Sequence, residues 1–141
     1  MNGGIESSPA DFKARIVLSA TLSPSEDPEK VGEALRNVIG KGSPCDLSLG
    51  SKAELVSDDP AAFVNLRDQL RDRHIRSAAR RQMLLNMRGG STSVMLNRQA
   101  AAAGVIAFCG SPEESPLGPI FLRIDSKDTD AVVDWLTAYT G

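Results

Sequence analysis

Polar and apolar residues alternate from Lys13 to Leu22: Ala14, Ile16, Leu18, Ala20 and Leu22 fall on one side, Arg15, Val17, Ser19 and Thr21 on the other. A period of two predicts a half-buried strand. Pro24 ends it. Asp27 then caps a helix with Pro28 in its first turn, where a missing N–H costs nothing. Val31, Leu35 and Val38 mark the buried side of that helix, and Gly40 and Gly42 stop it. Cys45 to Leu49 and Lys52 to Val56 read as two short strands about the turn Gly50-Ser51.

Asp59-Pro60 repeats the signal that opens the first helix, and the helix it starts buries Phe63, Leu66 and Leu70. The apolar phase slips between Asp72 and His74 and resumes at Ile75, Ala78, Ala79 and Gln82. Two consecutive helices are therefore expected, the second ending before Gly89-Gly90. Ser91 to Leu96 and Gly104 to Phe108 read as strands. Between them Asn97 to Ala103 is taken as strand continuing through a bend, since four alanines cannot sustain a helix alone. A proline-rich loop from Ser115 to Pro119 precedes a strand from Ile120 to Ile124. Asp128 or Thr129 opens a last helix that buries Val132, Val133, Trp135 and Leu136. Strands and helices do not alternate one for one. The pattern predicts an α+β fold of two layers, a largely antiparallel sheet with helices packed on one face.

Composition adds little until charge is mapped along the chain. At 141 residues, 41% hydrophobic and 24% charged, the sequence suits one globular domain, expected from Phe12 to Gly141. Residues 1–11, rich in Gly, Ser and Pro, read as a disordered tail without the pattern of a signal peptide. No apolar run approaches the ~20 residues that span a bilayer, so no membrane partner is expected. Cys45 and Cys109 lack ligand spacing and read as reduced core thiols of a cytoplasmic protein.

The charge map changes the picture. Arg67 to Arg98 holds eight of the eleven arginines against two acids, Asp68 and Asp72, and carries +6 in a chain of net charge −2. Segregation of this kind attracts a polyanion that the net charge would repel, and the arginine fork suits phosphate. Arg73, Arg76 and Arg80 fall on one helix face by their spacing, Arg81 adjoins them, and Arg98 follows the next strand. The set can bind phosphates without reading bases. The plainer reading is a solvated helix face with local pairs such as Asp68–Arg71 and Asp72–Arg76.

Catalysis has thin support. His74 is the sole histidine and has no nucleophile at suggestive spacing. Glu26/Asp27, Asp58/Asp59 and Glu113/Glu114 are better explained by helix capping and solubility. Gly89-Gly90-Ser91-Thr92 lacks the lysine of a phosphate loop. No catalytic residue, metal site or cofactor is expected.

The segments Leu96-Asn97-Arg98-Gln99-Ala100-Ala101, Ser115-Pro116-Leu117-Gly118-Pro119-Ile120 and Asp134-Trp135-Leu136, with Gly104 and Phe108 between, resemble a small archaeal family. Its members are uncharacterised proteins labelled predicted RNA-binding and possible exosome-associated subunits. The likeness covers nearly all of Phe12 to Leu136. It implies a fold similar to the large-subunit ribosomal protein that holds the 5S RNA, and an archaeal, cytoplasmic origin. His74-Ile75-Arg76-Ser77 departs from the family's usual Arg-Ile-Leu-Asp, and Met95 stands where an aromatic is common. By this comparison Arg80, Asn97, Arg98 and Gln99 carry the family's pattern, whereas Arg76 is particular to this sequence.

The expectation is a non-catalytic protein binding structured RNA through Arg73, Arg76, Arg80 and Arg81. Arg98 would extend the face, with Asn97 and Gln99 bonding sugars or base edges. The alternative is a protein-interaction subunit, a homodimer or part of an RNA-processing assembly, using the loop around Leu117. Whether Asn97 to Gln99 lie beside the arginine helix is left to the fold.

Overall fold

The computed structural model describes residues 13–138, so the tail expected at 1–11 lies outside the described residues. Strand β1 (Ala14–Thr21) leads into α1 (Pro28–Val38), then β2 (Asp46–Leu49) and β3 (Lys52–Ser57). Helices α2 (Pro60–Gln69) and α3 (Arg73–Leu85) follow. The chain continues through β4 (Ser91–Leu96), α4 (Arg98–Ala102), β5 (Ile120–Ser126) and α5 (Thr129–Leu136). The sheet is antiparallel throughout, in the order β2-β3-β1-β5-β4. This is an α+β fold.

Alternation in the strands decides which side the helices cover. Ile16, Leu18 and Ala20 of β1 join Ala53, Leu55, Val94, Leu96, Ile120, Leu122 and Ile124 in one buried core with Leu35, Val38, Phe63, Leu66 and Val132. Helix α1 packs on β1, β2 and β3, α3 on β4, and α5 on β5. Residues facing the other way, including Arg15, Ser19, Phe121, Arg123 and Asp125, are exposed or half-buried, with Val17 the exception. Among the described residues, no helix is long and apolar enough to cross a membrane.

The helices opened by Asp27-Pro28 and Asp59-Pro60 start where the capping signals place them, and Asp72 proves to cap a third. Asp27 accepts from the Glu29 N–H, Asp59 from Ala61, and Asp72 from His74 at 2.9 Å. The slip in apolar phase before Ile75 is thus a helix start. Cys45 and Cys109 are free, and Cys109 is buried. Burial, with the Glu114 carboxylate nearby, pushes the Cys109 thiol up.

Two expectations need correction. Asn97 to Ala103 is not strand through a bend: Arg98–Ala102 is a short helix. The Asn97 side chain accepts from the Ala100 N–H at 2.9 Å, and Asn37 of α1 donates to the Ala101 carbonyl at 2.9 Å. Packing on α1 and a cap supply what alanine propensity alone does not. Gly104 to Phe108 makes no strand either, only a single bridge between Leu96 and Phe108.

The loop before β5 carries one strained residue. The Gly118 N–H donates to the Ser115 carbonyl at 2.9 Å, closing a turn in which Leu117 has φ +67°. A left-handed leucine costs about 1–2 kcal/mol, whereas glycine there gives back about 0.5–1 kcal/mol through its looser unfolded chain. Leu117→Gly is therefore expected to stabilise the fold by at most about 1 kcal/mol. Leu117→Ala should bring no such gain. Urea midpoints of the two variants check this.

Candidate nucleic-acid interface

Helix α3 has no acidic residue among its thirteen, and four of them are arginines. Ala79 and Met83 are buried against the core, with Ile75 beside them. That orientation turns one flank of the helix toward α5. Arg80 donates to Asp134 at 2.8 Å and to the Thr137 hydroxyl at 3.3 Å. Arg67 of α2 lies 4.6 Å from the centre of the Trp135 ring, a cation–π contact. Arg76 donates to the Arg71 carbonyl at 2.9 Å. Much of the basic segment thus holds helices together.

The outward side of α3 presents His74, Ser77 and Arg81, all exposed. Arg71 is exposed just before the helix and Arg88 just after it. Among the described residues, the ion pairs and side-chain bonds leave Arg71, Arg81 and Arg88 unengaged. Arg73 occupies the first turn of α3. The expected set omitted Arg71 and Arg88. Both lie in the same basic segment, so local charge density could have found them.

Arg98 does not extend this face. It is 5% exposed, and its Nη1 donates to Glu26 at 2.6 Å. Its Nη2 donates to the Thr21 hydroxyl at 3.2 Å, and its backbone N–H to the Ser115 hydroxyl at 3.0 Å. The physical reason is α4: its packing on α1 carries Arg98 toward the start of α1, where Glu26 waits. Asn97 spends its side-chain oxygen on the α4 cap, and Gln99 is exposed one position beyond Arg98.

Burial pushes the Glu26 carboxyl up. The Ser23 backbone N–H, the Arg98 guanidinium and the Ser23 hydroxyl outweigh it and hold the group below its ordinary 4.5. Glu26 carries no sequence signal for this role, since its partner lies far along the chain. Among the described residues, no group of three His, Cys, Asp or Glu side chains could hold a metal ion.

No family model matches the chain. A UPF0201 protein of Sulfolobus acidocaldarius is 37% identical over 128 residues, covering 89% of this chain and 88% of the relative. The chain belongs to the UPF0201 family. Another UPF0201 protein, from Aeropyrum pernix, is 35% identical over 131 residues, covering 91% and 87% of the two chains. Both relatives are archaeal, as the Leu96–Ala101 and Ser115–Ile120 segments lead one to expect. The crystal structure of a UPF0201 protein from Methanococcus jannaschii shares the fold, with a TM-score of 0.71, 24% identity and coverage of 87% of this chain and 98% of that one. A DUF54 protein from Archaeglobus fulgidus does so at a TM-score of 0.67 and 14% identity, covering 91% and 98%.

In this UPF0201 chain two of the segments that carry the likeness, Leu96–Ala101 and Ser115–Ile120, touch each other. The Arg98 N–H meets Ser115, and the Thr21 hydroxyl, which receives Arg98, donates in turn to the Leu117 carbonyl at 3.4 Å. Their shared chemistry is internal.

Proposed function

We propose that this protein is a non-catalytic RNA-binding protein that engages structured RNA through its phosphates, using the outward side of α3 and its flanks. The observation that carries the reading is an acid-free helix whose exposed Arg81 is bracketed by exposed Arg71 and Arg88. Three guanidinium groups without side-chain partners among the described residues give a local positive field in an otherwise acidic chain. Phosphate binding needs charge and hydrogen-bond donors, with no aromatic platform. Arg80 and Arg98 drop out of the contact set because Asp134 and Glu26 already neutralise them. The motif resemblance points the same way, toward a cytoplasmic protein attached to RNA processing and a fold like the 5S-RNA-binding ribosomal protein.

The test is fluorescence anisotropy with a structured RNA across a salt series. Arg71, Arg81 and Arg88 changed together to alanine should flatten the dependence of log K on log salt by about 2–3, at roughly 0.7–0.9 per lost phosphate contact. Arg80→Ala should change the slope little. Equal slopes for the wild type and the triple variant would sink the proposal.

The second reading, a protein-interaction subunit, has one observation in its favour. Leu117 is 57% exposed on a proline-bounded loop. A folded wild type that ignores RNA at low salt would favour it.

A further inference from the structure

An open cleft of about 600 Å³ lies at one end of the sheet, where β1, β5 and β4 come together. Strand register builds it. Arg15 of β1 stands opposite Asp125 of β5, and Asp125 opposite Ser91 of β4. Lys13 directly precedes β1 and Lys127 directly follows β5, so antiparallel pairing brings together two lysines far apart in the sequence. Gly90 closes the β4 side. Its carbonyl accepts the Ser126 N–H at 2.8 Å, and a Cβ at Gly90 would stand 3.2 Å from the Ser126 carbonyl oxygen. Backbones approach closely there, and the lining stays shallow.

The charges of this cleft do not cancel. Lys13, Arg15 and Lys127 are exposed, and none has an ion-pair partner among the described residues. The Asp125 carboxylate is taken by the Arg123 Nε, at 3.1 and 3.2 Å to its two oxygens. That leaves Asp58 as the opposing charge. Asp58 and Arg15 both also line a second concavity, with Asp46 and Asp59, where the sign reverses. An anion entering the first cleft is drawn to its Lys13 and Lys127 side. Arg88 is exposed, is bridged to Ser91, and lies two residues before Gly90 in the segment that joins α3 to β4.

We propose that the cleft between Lys13, Arg15 and Lys127 is a second phosphate-binding site, taking a phosphodiester of the same structured RNA. The inference rests on the RNA-binding reading above and lengthens its footprint from α3, past Arg88, to the strand ends. Three cations without an ion-pair partner among the described residues, around an open, shallow lining, suit a backbone phosphate, which arrives on a polymer and needs no enclosing pocket.

The test uses the full chain, structured RNA and inorganic pyrophosphate, with anisotropy and ¹⁵N amide shifts. Lys13, Arg15 and Lys127 changed together to glutamine should weaken RNA binding at least about tenfold at low salt and flatten the salt slope by about 2. Asp58→Asn should tighten binding about two- to fivefold by removing the opposing charge. A disturbed fold would not produce that gain. RNA should move the Gly90 and Ser126 amides of the wild type. If RNA binds the glutamine variant as tightly as the wild type, the cleft is not a site, while the α3 reading stands. If the wild type ignores RNA but pyrophosphate moves the Gly90 amide, the RNA assignment falls for both surfaces.

Discussion

Replacing Arg98 by alanine should lower the unfolding free energy by about 3–5 kcal/mol, a fall in Tm on the order of 10 °C or more. The Arg98 and Glu26 side chains are only 6% and 10% exposed, and 2.6 Å separates their charged atoms. Removing the guanidinium strands a carboxylate away from water and leaves the Thr21 hydroxyl without its donor. The pair is not irreplaceable. Arg98 Nε is buried without a hydrogen-bond partner among the described residues, so the native arrangement already carries a desolvation cost. A double change to Arg98→Met and Glu26→Gln should recover much of the loss, since neither residue then brings an unpaired charge. Chemical denaturation of the two single variants and the double variant reads the coupling directly.

The same pair sets part of the pH dependence. The Glu26 carboxyl is held below 4.5 in the folded protein, so the folded state favours its ionised form. That stability is fully present above the unfolded value and is lost as pH falls through the folded value. Wild-type stability should therefore decline below about pH 4.5, and Glu26→Gln should flatten that decline. At neutral pH Arg98→Ala should leave the RNA affinity of the folded molecules unchanged. A selective loss of affinity with intact stability would return Arg98 to the binding face.

The second large effect is expected at Trp135. Trp135→Ala should destabilise the protein by about 3–5 kcal/mol through lost packing, with about 0.5–1 kcal/mol from the Arg67 contact included. The ring is 8% exposed, with Val132, Val133 and Leu136 buried beside it on α5. Trp135→Phe keeps most of the packing and should cost far less. Asp134→Asn is the contrasting neighbour. Its bridge to Arg80 joins side chains 45% and 65% exposed, so its loss should cost no more than about 1 kcal/mol. Trp135 is the sole tryptophan, which makes its fluorescence the natural probe for the Arg98 variants.

Strands with a period of two, helices opened by Asp27-Pro28 and Asp59-Pro60, and the break marked by the apolar phase slip before Ile75 were legible because their signals are local. A cap acts across two or three residues, and alternation repeats within one strand. These features, with the absence of one-for-one alternation, determined an α+β sheet protein. Local charge density likewise marked the basic segment, and its outward remainder, Arg71, Arg81 and Arg88, is where the binding reading now rests.

Tertiary structure alone decided which arginines are available. Arg80, Arg67 and Arg98 look alike in the sequence, yet Asp134, Trp135 and Glu26 claim them from elements distant along the chain. Helix α4 forms because α1 receives it, which propensity over four alanines does not foresee. The cleft of Lys13, Arg15 and Lys127 exists only because antiparallel register joins β1 to β5. Coulomb attraction and desolvation act through space, so a residue's charge is written in the sequence while its freedom to meet a ligand is set by what the fold places against it.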